Sequence, residues 1–285
     1  MRPAIRQVVV LATAWLLSAC GTAPGAFDQS RSAHTNSANV TTNQATTNQV
    51  TTLATPLATS STPAAERARL RLALATGYFE QGQYAVALEE VGLALQSEPA
   101  SVDALNLRGL TLMRLNQPQA AQSFEQALRL KPNDPDTLHN LAWLRCEQGQ
   151  YALADSGFAQ ALAQAAYERA AKTWTSRGVC QLRAGQRQQA LQSLLRAEAL
   201  APAQALVTYN LGWILYKEDE FRRAQSYTRA LNNSPQANAE SLWLGLRVER
   251  ALGNPQTVAQ LADQLKKRYP MSRELQAYER GAFDE

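Results

Sequence analysis

Residues Asp136 to Leu162 read DTLHNLAWLRCEQGQYALADSGFAQAL. Leu138, Leu141, Ala142 and Cys146 recur at three- and four-residue steps, the period of one helix face. Gly149 ends that stripe. Just past a helix end the chain often needs the left-handed conformation, which glycine adopts without a Cβ clash. Tyr151, Ala154, Phe158 and Ala161 then form a second apolar stripe. The stretch therefore encodes two amphipathic helices around a tight turn. A lone hairpin cannot bury both stripes, so this one needs neighbours.

Gly149 serves as a ruler for finding them. Its equivalents are Gly82, Asn116, Gly185, Asp219 and Gly253, at spacings of 34, 33, 36, 34 and 34 residues. Asn and Asp are the non-glycine residues that best tolerate the left-handed region. Two places on come Tyr84, Pro118, Tyr151, Arg187, Phe221 and Pro255, and five places on come Ala87, Ala121, Ala154, Ala190, Ala224 and Val258. Small side chains in that second column let two helices cross closely. Pro99, Pro132, Pro202, Pro235 and Pro270 then terminate the second helices. The third unit lacks its proline and precedes the longest gap, so its second helix is expected to run on through Ala165, Ala166 and Tyr167.

A helix–turn–helix period of 34 residues with these columns resembles the tetratricopeptide repeat. The resemblance covers about Ala68 to Pro270. It implies an all-α, right-handed superhelical array of about six repeats, in units starting near 68, 102, 135, 171, 205 and 239. A capping helix over 272–282 would cover the last apolar face, as repeat arrays require. The repeat domain is expected over 64–285. The second unit loses a residue in its turn, and the sixth has Gly245 where leucine is usual.

The chain's start has a different character. Arg2 and Arg6 precede an apolar run from Val8 to Leu17, too short for a stable bilayer anchor. Leu17-Ser18-Ala19-Cys20 resembles the bacterial lipoprotein box; the alternative is an ordinary signal peptide with an incidental cysteine. The resemblance implies a signal over 1–19 and a covalent lipid on Cys20. Gly21 occupies the place where aspartate often means inner-membrane retention, which favours the periplasmic face of the outer membrane. From 20 to 63 the sequence is rich in Thr, Asn and Ser, with TTNQATTNQVTT as its low-complexity centre. Such composition cannot bury enough apolar surface to offset the entropy of ordering, and reads as a tether. A coil of that length reaches on the order of 35 Å. The formal charge of +4 falls to +2 once Arg2 and Arg6 leave with the signal. That is too little for a general attraction to nucleic acid.

Catalytic constellations are scarce. Of the two histidines, His34 lies in the tether and His139 in the repeats. No His/Glu or His/Cys spacing suggests a metal, and no glycine loop suggests bound phosphate. Neither a cofactor nor a small-molecule substrate is expected. The basic runs Arg67/Arg69/Arg71, Arg222-Arg223 and Lys266-Lys267-Arg268 read as solvated faces.

With Cys20 taken by lipid, Cys146 and Cys180 remain as an even pair. Both come late in the first helices of successive units, offset by two residues, about 3 Å of axial rise. In the periplasm they are either a disulfide clamping the third unit to the fourth, or two buried free thiols.

In arrays of this kind the first helices line a concave groove. Its stripe here holds Phe79, Leu110, Met113, His139, Trp143, Leu182, Tyr209, Trp213, Tyr216, Lys217, Trp243, Arg247 and Arg250. Trp, Tyr and Arg dominate the binding energy of many interfaces. These residues either form a partner-binding groove or pack between neighbouring first helices. Trp174 falls on a packing position.

Three stretches narrow the resemblance: HNLAWLRCEQGQYALAD (139–155), YNLGWILYKEDEFRRAQSY (209–227), and SLWLGLRVERALGN (241–254) followed by QLKKRYP. With the lipoprotein box, the tether and six repeats, they resemble the PilW/PilF family of type IV pilus biogenesis lipoproteins, the pilotins. That resemblance implies an outer-membrane adaptor that binds the pilus secretin. It would promote secretin localisation and multimerisation, or pilus stability. The competing reading is a repeat lipoprotein that scaffolds cell-wall hydrolases or outer-membrane protein assembly. An enzyme with an unrecognised site is the remaining one.

Overall fold

The structure, a computed structural model, describes residues 62–283. The expected signal segment, Cys20 and all but the end of the expected tether lie outside the described residues. Among the described residues there are thirteen helices and no strand. Twelve form hairpins: α1 (Pro63–Glu80) with α2 (Tyr84–Ser97), α3 (Val102–Arg114) with α4 (Ala120–Leu130), and α5 (Pro135–Glu147) with α6 (Tyr151–Leu162). Then come α7 (Ala170–Arg183) with α8 (Arg187–Leu200), α9 (Ala205–Lys217) with α10 (Phe221–Asn232), and α11 (Ala239–Ala251) with α12 (Pro255–Arg268).

All six ruler residues have positive φ, from 54° at Asn116 to 75° at Gly149. At each turn the next residue's N–H reaches back five places. Gln150 N–H, for example, donates to Arg145 O at 2.8 Å. This bond satisfies a carbonyl that the helix end would otherwise leave open. Side chains cap the opposite ends: Ser101, Asp134 and Asn238 accept backbone N–H groups at the starts of α3, α5 and α11.

Two local expectations are corrected. In the third unit α6 stops at Leu162 rather than running on, because Ala166 takes a left-handed φ of 56°. Tyr167 is thereby freed to turn back, its hydroxyl 2.9 Å from Thr173 Oγ1 and 3.4 Å from the Asp136 carboxylate. In the second unit the fully buried small residue is Ala120 and not Ala121, which is half-buried. Here the buried alanine follows the ruler residue by four places and not five, so the register moves by one residue. Elsewhere Ala87, Ala154, Ala190 and Ala224 are buried as the column requires.

A second small column, seven places before each turn, holds Ala75, Gly109, Ala142, Gly178 and Gly212. At Gly109 an added Cβ would stand 2.5 Å from the buried Phe124 ring. The ring therefore occupies the space a side chain would need.

Each hairpin packs on the next through its second helix. Consecutive first helices also touch directly: α1 on α3, α3 on α5, α5 on α7, and α9 on α11. No pair of second helices among the described residues packs to that extent. Crowding on one side and splaying on the other curve the array into a superhelix, with first helices on the inner side. A thirteenth helix, α13 (Arg273–Glu279), is shorter than the expected cap and packs on α11 and α12. Its Leu275 closes a core of Leu242, Leu246 and Leu265.

Candidate partner-binding groove

The inner stripe divides into two chemically distinct parts. In α9, Tyr209, Trp213 and Tyr216 stand at i, i+4 and i+7; in α11, Trp243, Arg247 and Arg250 do the same. Because α9 and α11 touch, the two rows meet. The Arg247 guanidinium lies 4.8 Å from the Tyr216 ring centre and 5.9 Å from that of Trp243. Lys217 Nζ approaches the same Tyr216 ring at 5.8 Å. Tyr216 also leans on Phe221 across its own turn. Tyr209 is desolvated enough that its hydroxyl pKa is pushed up to about 12, chiefly by burial and then by the charge of Glu240. Trp213 is half-buried against the Leu211–Leu215 core.

The N-terminal part is different. Phe79 packs edge-on against Tyr84 of its own hairpin, 5.4 Å between centres. Met113 joins Leu110 over an aliphatic core around Phe124. Trp143 donates its indole N–H to Glu147 Oε1 at 2.9 Å, and Arg183 lies over its ring at 5.0 Å. The structure therefore does not gather the stripe into one site. Tyr209, Trp213, Tyr216, Lys217, Trp243 and Arg247 come together on α9 and α11, whereas Phe79, Met113 and Trp143 pack in separate clusters among the first four units.

Three residues expected on the open face, His139, Trp243 and Arg247, are buried. His139 is only 5% exposed. Its Nδ1 is 2.8 Å from Thr173 Oγ1 and its ring meets Phe158 edge-on, so it joins α5 to α7 instead of meeting a partner. Burial, then the charges of Lys172 and Arg169, lower its pKa from 6.5 to about 4. Trp243 is covered by Phe283, stacked 5.4 Å away, with Arg250 over the outer side of that ring.

Two contributors escaped the sequence reading. Arg183 stands two places before its turn, the column that holds Lys217, so its signal was available. Phe283 lies outside the repeats and carries no periodic mark.

Cys146 and Cys180 are joined, with Cα atoms 5.9 Å apart, in a pocket shared with Phe158 and Ala154. Beside them Arg177 grips Asp155 through two hydrogen bonds, and Gln181 adds a third. Those bonds, Arg177's first, hold the Asp155 carboxyl below the usual carboxylate range.

No group of three His, Cys, Asp or Glu side chains among the described residues is arranged to hold a metal ion. No described helix is long and apolar enough to cross a membrane.

Comparison with known proteins agrees with this architecture. Tetratricopeptide repeat family models match residues 72–135 and 123–155. Type IV pilus assembly protein PilF of Pseudomonas aeruginosa is 26% identical over 207 residues, covering 72% of this chain and 82% of PilF. The solved PilF structure superposes with a TM-score of 0.70 at 25% identity, over 76% of this chain and 99% of that one. The crystal structure of PilW, a type IV pilus biogenesis factor, gives 0.67 at 27% identity, over 74% and 97%. YrrB, a repeat protein with an unusual peptide-binding site, shares the fold at 16% identity with a TM-score of 0.55, over 67% and 97%. The chain is a tetratricopeptide-repeat protein homologous to the type IV pilus biogenesis proteins PilF and PilW.

Proposed function

We propose that this protein is a lipid-anchored adaptor of type IV pilus biogenesis, holding the pilus secretin in the groove of its repeats. The observation that carries the reading is the aromatic and arginine cluster of α9 and α11, on a scaffold similar to PilF and PilW over most of its length. Lipid on Cys20 would place the protein on the periplasmic face of the outer membrane. More than one acyl chain is needed for stable anchoring, and lipoproteins of this type carry them. The repeats supply the grip. A secretin subunit so held stays near the membrane at high effective concentration, which favours ring assembly there. In this role the protein performs no chemistry.

The test is a deletion strain, scored for heat-resistant secretin multimers and surface pili, and complemented with wild type, Cys20→Ser and Trp213→Ala. Multimers and pili should fall on deletion and return only with wild type. Normal multimers and pili in the deletion strain would reject the proposal. Altered cell-wall hydrolysis instead would favour the scaffold reading.

A further inference from the structure

Two charged side chains of α11 are buried two residues apart, and the fold treats them differently. Glu249 is 1% exposed and fully satisfied. It accepts hydrogen bonds from Arg229 Nε at 2.7 Å, Gln225 Nε2 at 2.9 Å and Asn254 Nδ2 at 2.6 Å. Arg247 is 8% exposed, and among the described residues none accepts a hydrogen bond from its Nε. Its Nε is sealed from solvent without an acceptor, and among the described residues no carboxylate forms an ion pair with it. Among the described residues the side chain lies against the faces of Tyr216 and Trp243.

Burying a guanidinium is costly unless it is paired, and ring faces return only part of that cost. Buried arginines are normally matched to carboxylate or phosphate, whose two oxygens fit the guanidinium fork. A fold that meets Glu249 with three donors and leaves Arg247 open holds the latter ready for an anion. The surroundings narrow the anion. Arg247 is flanked by Tyr216, Trp213 and Tyr209 along the continuous inner face of α9, with the Trp243 ring behind it. An extended peptide would lay apolar side chains on those rings while offering one carboxylate at the centre.

We propose that Arg247 is the anchor for a peptide carboxylate, an acidic side chain or a chain terminus, flanked by apolar residues. This rests on the groove reading above and adds the chemistry of the occupant. A buried, desolvated pair of this kind discriminates strongly between an acid and its neutral isostere, because the neutral form leaves the cation unpaired.

The experiment uses the full purified chain and a library of nine-residue peptides. Each peptide is made with Asp and Glu intact or replaced by Asn and Gln, and with a free or amidated terminus. Wild type should select peptides with a carboxylate at one fixed place and bind them at least tenfold more tightly than their neutral forms. Arg247→Gln should lose that preference. The free-acid and amidated arms separate a terminal from a side-chain carboxylate. Arg247→Met should melt no lower than wild type, since it removes an unsatisfied donor from among rings. The proposal is overturned if no peptide is selected, if acid and neutral forms bind alike, or if Arg247→Gln keeps the preference. Carboxylate selection in vitro alongside normal secretin multimers in the deletion strain would retain Arg247's role and dismiss the secretin. A deletion strain fully restored by Arg247→Gln, with no acid preference in vitro, would do the reverse.

Discussion

Cys146 and Cys180 lie 34 residues apart in sequence and 5.9 Å apart in space, although the turn glycines that follow them, Gly149 and Gly185, are 36 residues apart. His139 and Thr173 keep the same 34-residue step. Residues 34 apart therefore meet along this contact, and α7 sits about 3 Å along α5 from where the turn columns would put it. That displacement brings the two sulfurs together. Peptide mass analysis of unreduced protein should find Cys146 linked to Cys180; two alkylatable thiols would refute the bridge. Closing a loop of this length is worth about 3–4 kcal/mol in the chain-entropy account. The double variant Cys146→Ala with Cys180→Ala should lose stability of that order. Both cysteines are buried, so reduction of the folded protein should be slow without denaturant.

The same α5–α7 contact makes stability depend on pH. His139 has a folded pKa of about 4 against an ordinary 6.5. Between those values the unfolded chain binds the proton and the folded chain does not. Stability from keeping this ring neutral is fully present above pH 6.5 and is lost as pH falls toward 4. The total is about 3 kcal/mol at most. Carboxylates such as Asp155 also weaken the fold on acidification, so the informative quantity is a difference. Denaturant unfolding of wild type and His139→Gln across pH 4–7 should converge at the acid end. Parallel curves over that window would show that His139 does not titrate there.

The fold was legible because six copies of one pattern reinforce each other. Positive-φ turns, helix-ending prolines and a small-residue column are each weak alone and specific when they recur every 34 residues. The misreadings fall where the copies differ. A missing proline suggested a longer α6, but loss of a stop signal does not compel a helix to continue, and Tyr167 finds better partners by turning back. For the groove, the sequence gives the face on which a residue lies and not how closely the next helix approaches. His139 and Trp213 both occupy groove columns; only in three dimensions does Thr173 claim the first, while the second stays half-open. Phe283 was invisible because it belongs to no repeat.

Close approach of α3 and α4 leads to a packing prediction. An alanine at Gly109 would place its Cβ 2.5 Å from the ring of Phe124, which is fully buried and has nowhere to retreat. Gly109→Ala should cost about 1–3 kcal/mol, the usual range for overpacking. Adding Phe124→Leu should return part of that loss, because the smaller side chain vacates the contested space. The measurement is a double-mutant cycle by denaturant unfolding; strict additivity of the two changes would show that residues 109 and 124 do not compete.

Trp213 and Trp174 are both half-buried against the same core, yet they stand on different faces and should behave differently. Trp213 lies in the α9 row with Tyr209 and Tyr216, next to Arg247. Trp174 falls on a packing position of α7, with Arg177 over its ring at 5.4 Å. Truncating a central aromatic of a binding face commonly costs 2 kcal/mol or more of affinity, about thirtyfold, without unfolding the protein. Trp213→Ala should therefore weaken partner capture by roughly that factor while helicity stays near wild type. Trp174→Ala should lower the melting temperature and leave affinity nearly unchanged at temperatures where it remains folded. Calorimetric titration against the proposed partner, the secretin, paired with thermal melts of both variants, separates the cases. A Trp213→Ala protein that is folded and binds normally would move the binding face away from the α9–α11 cluster.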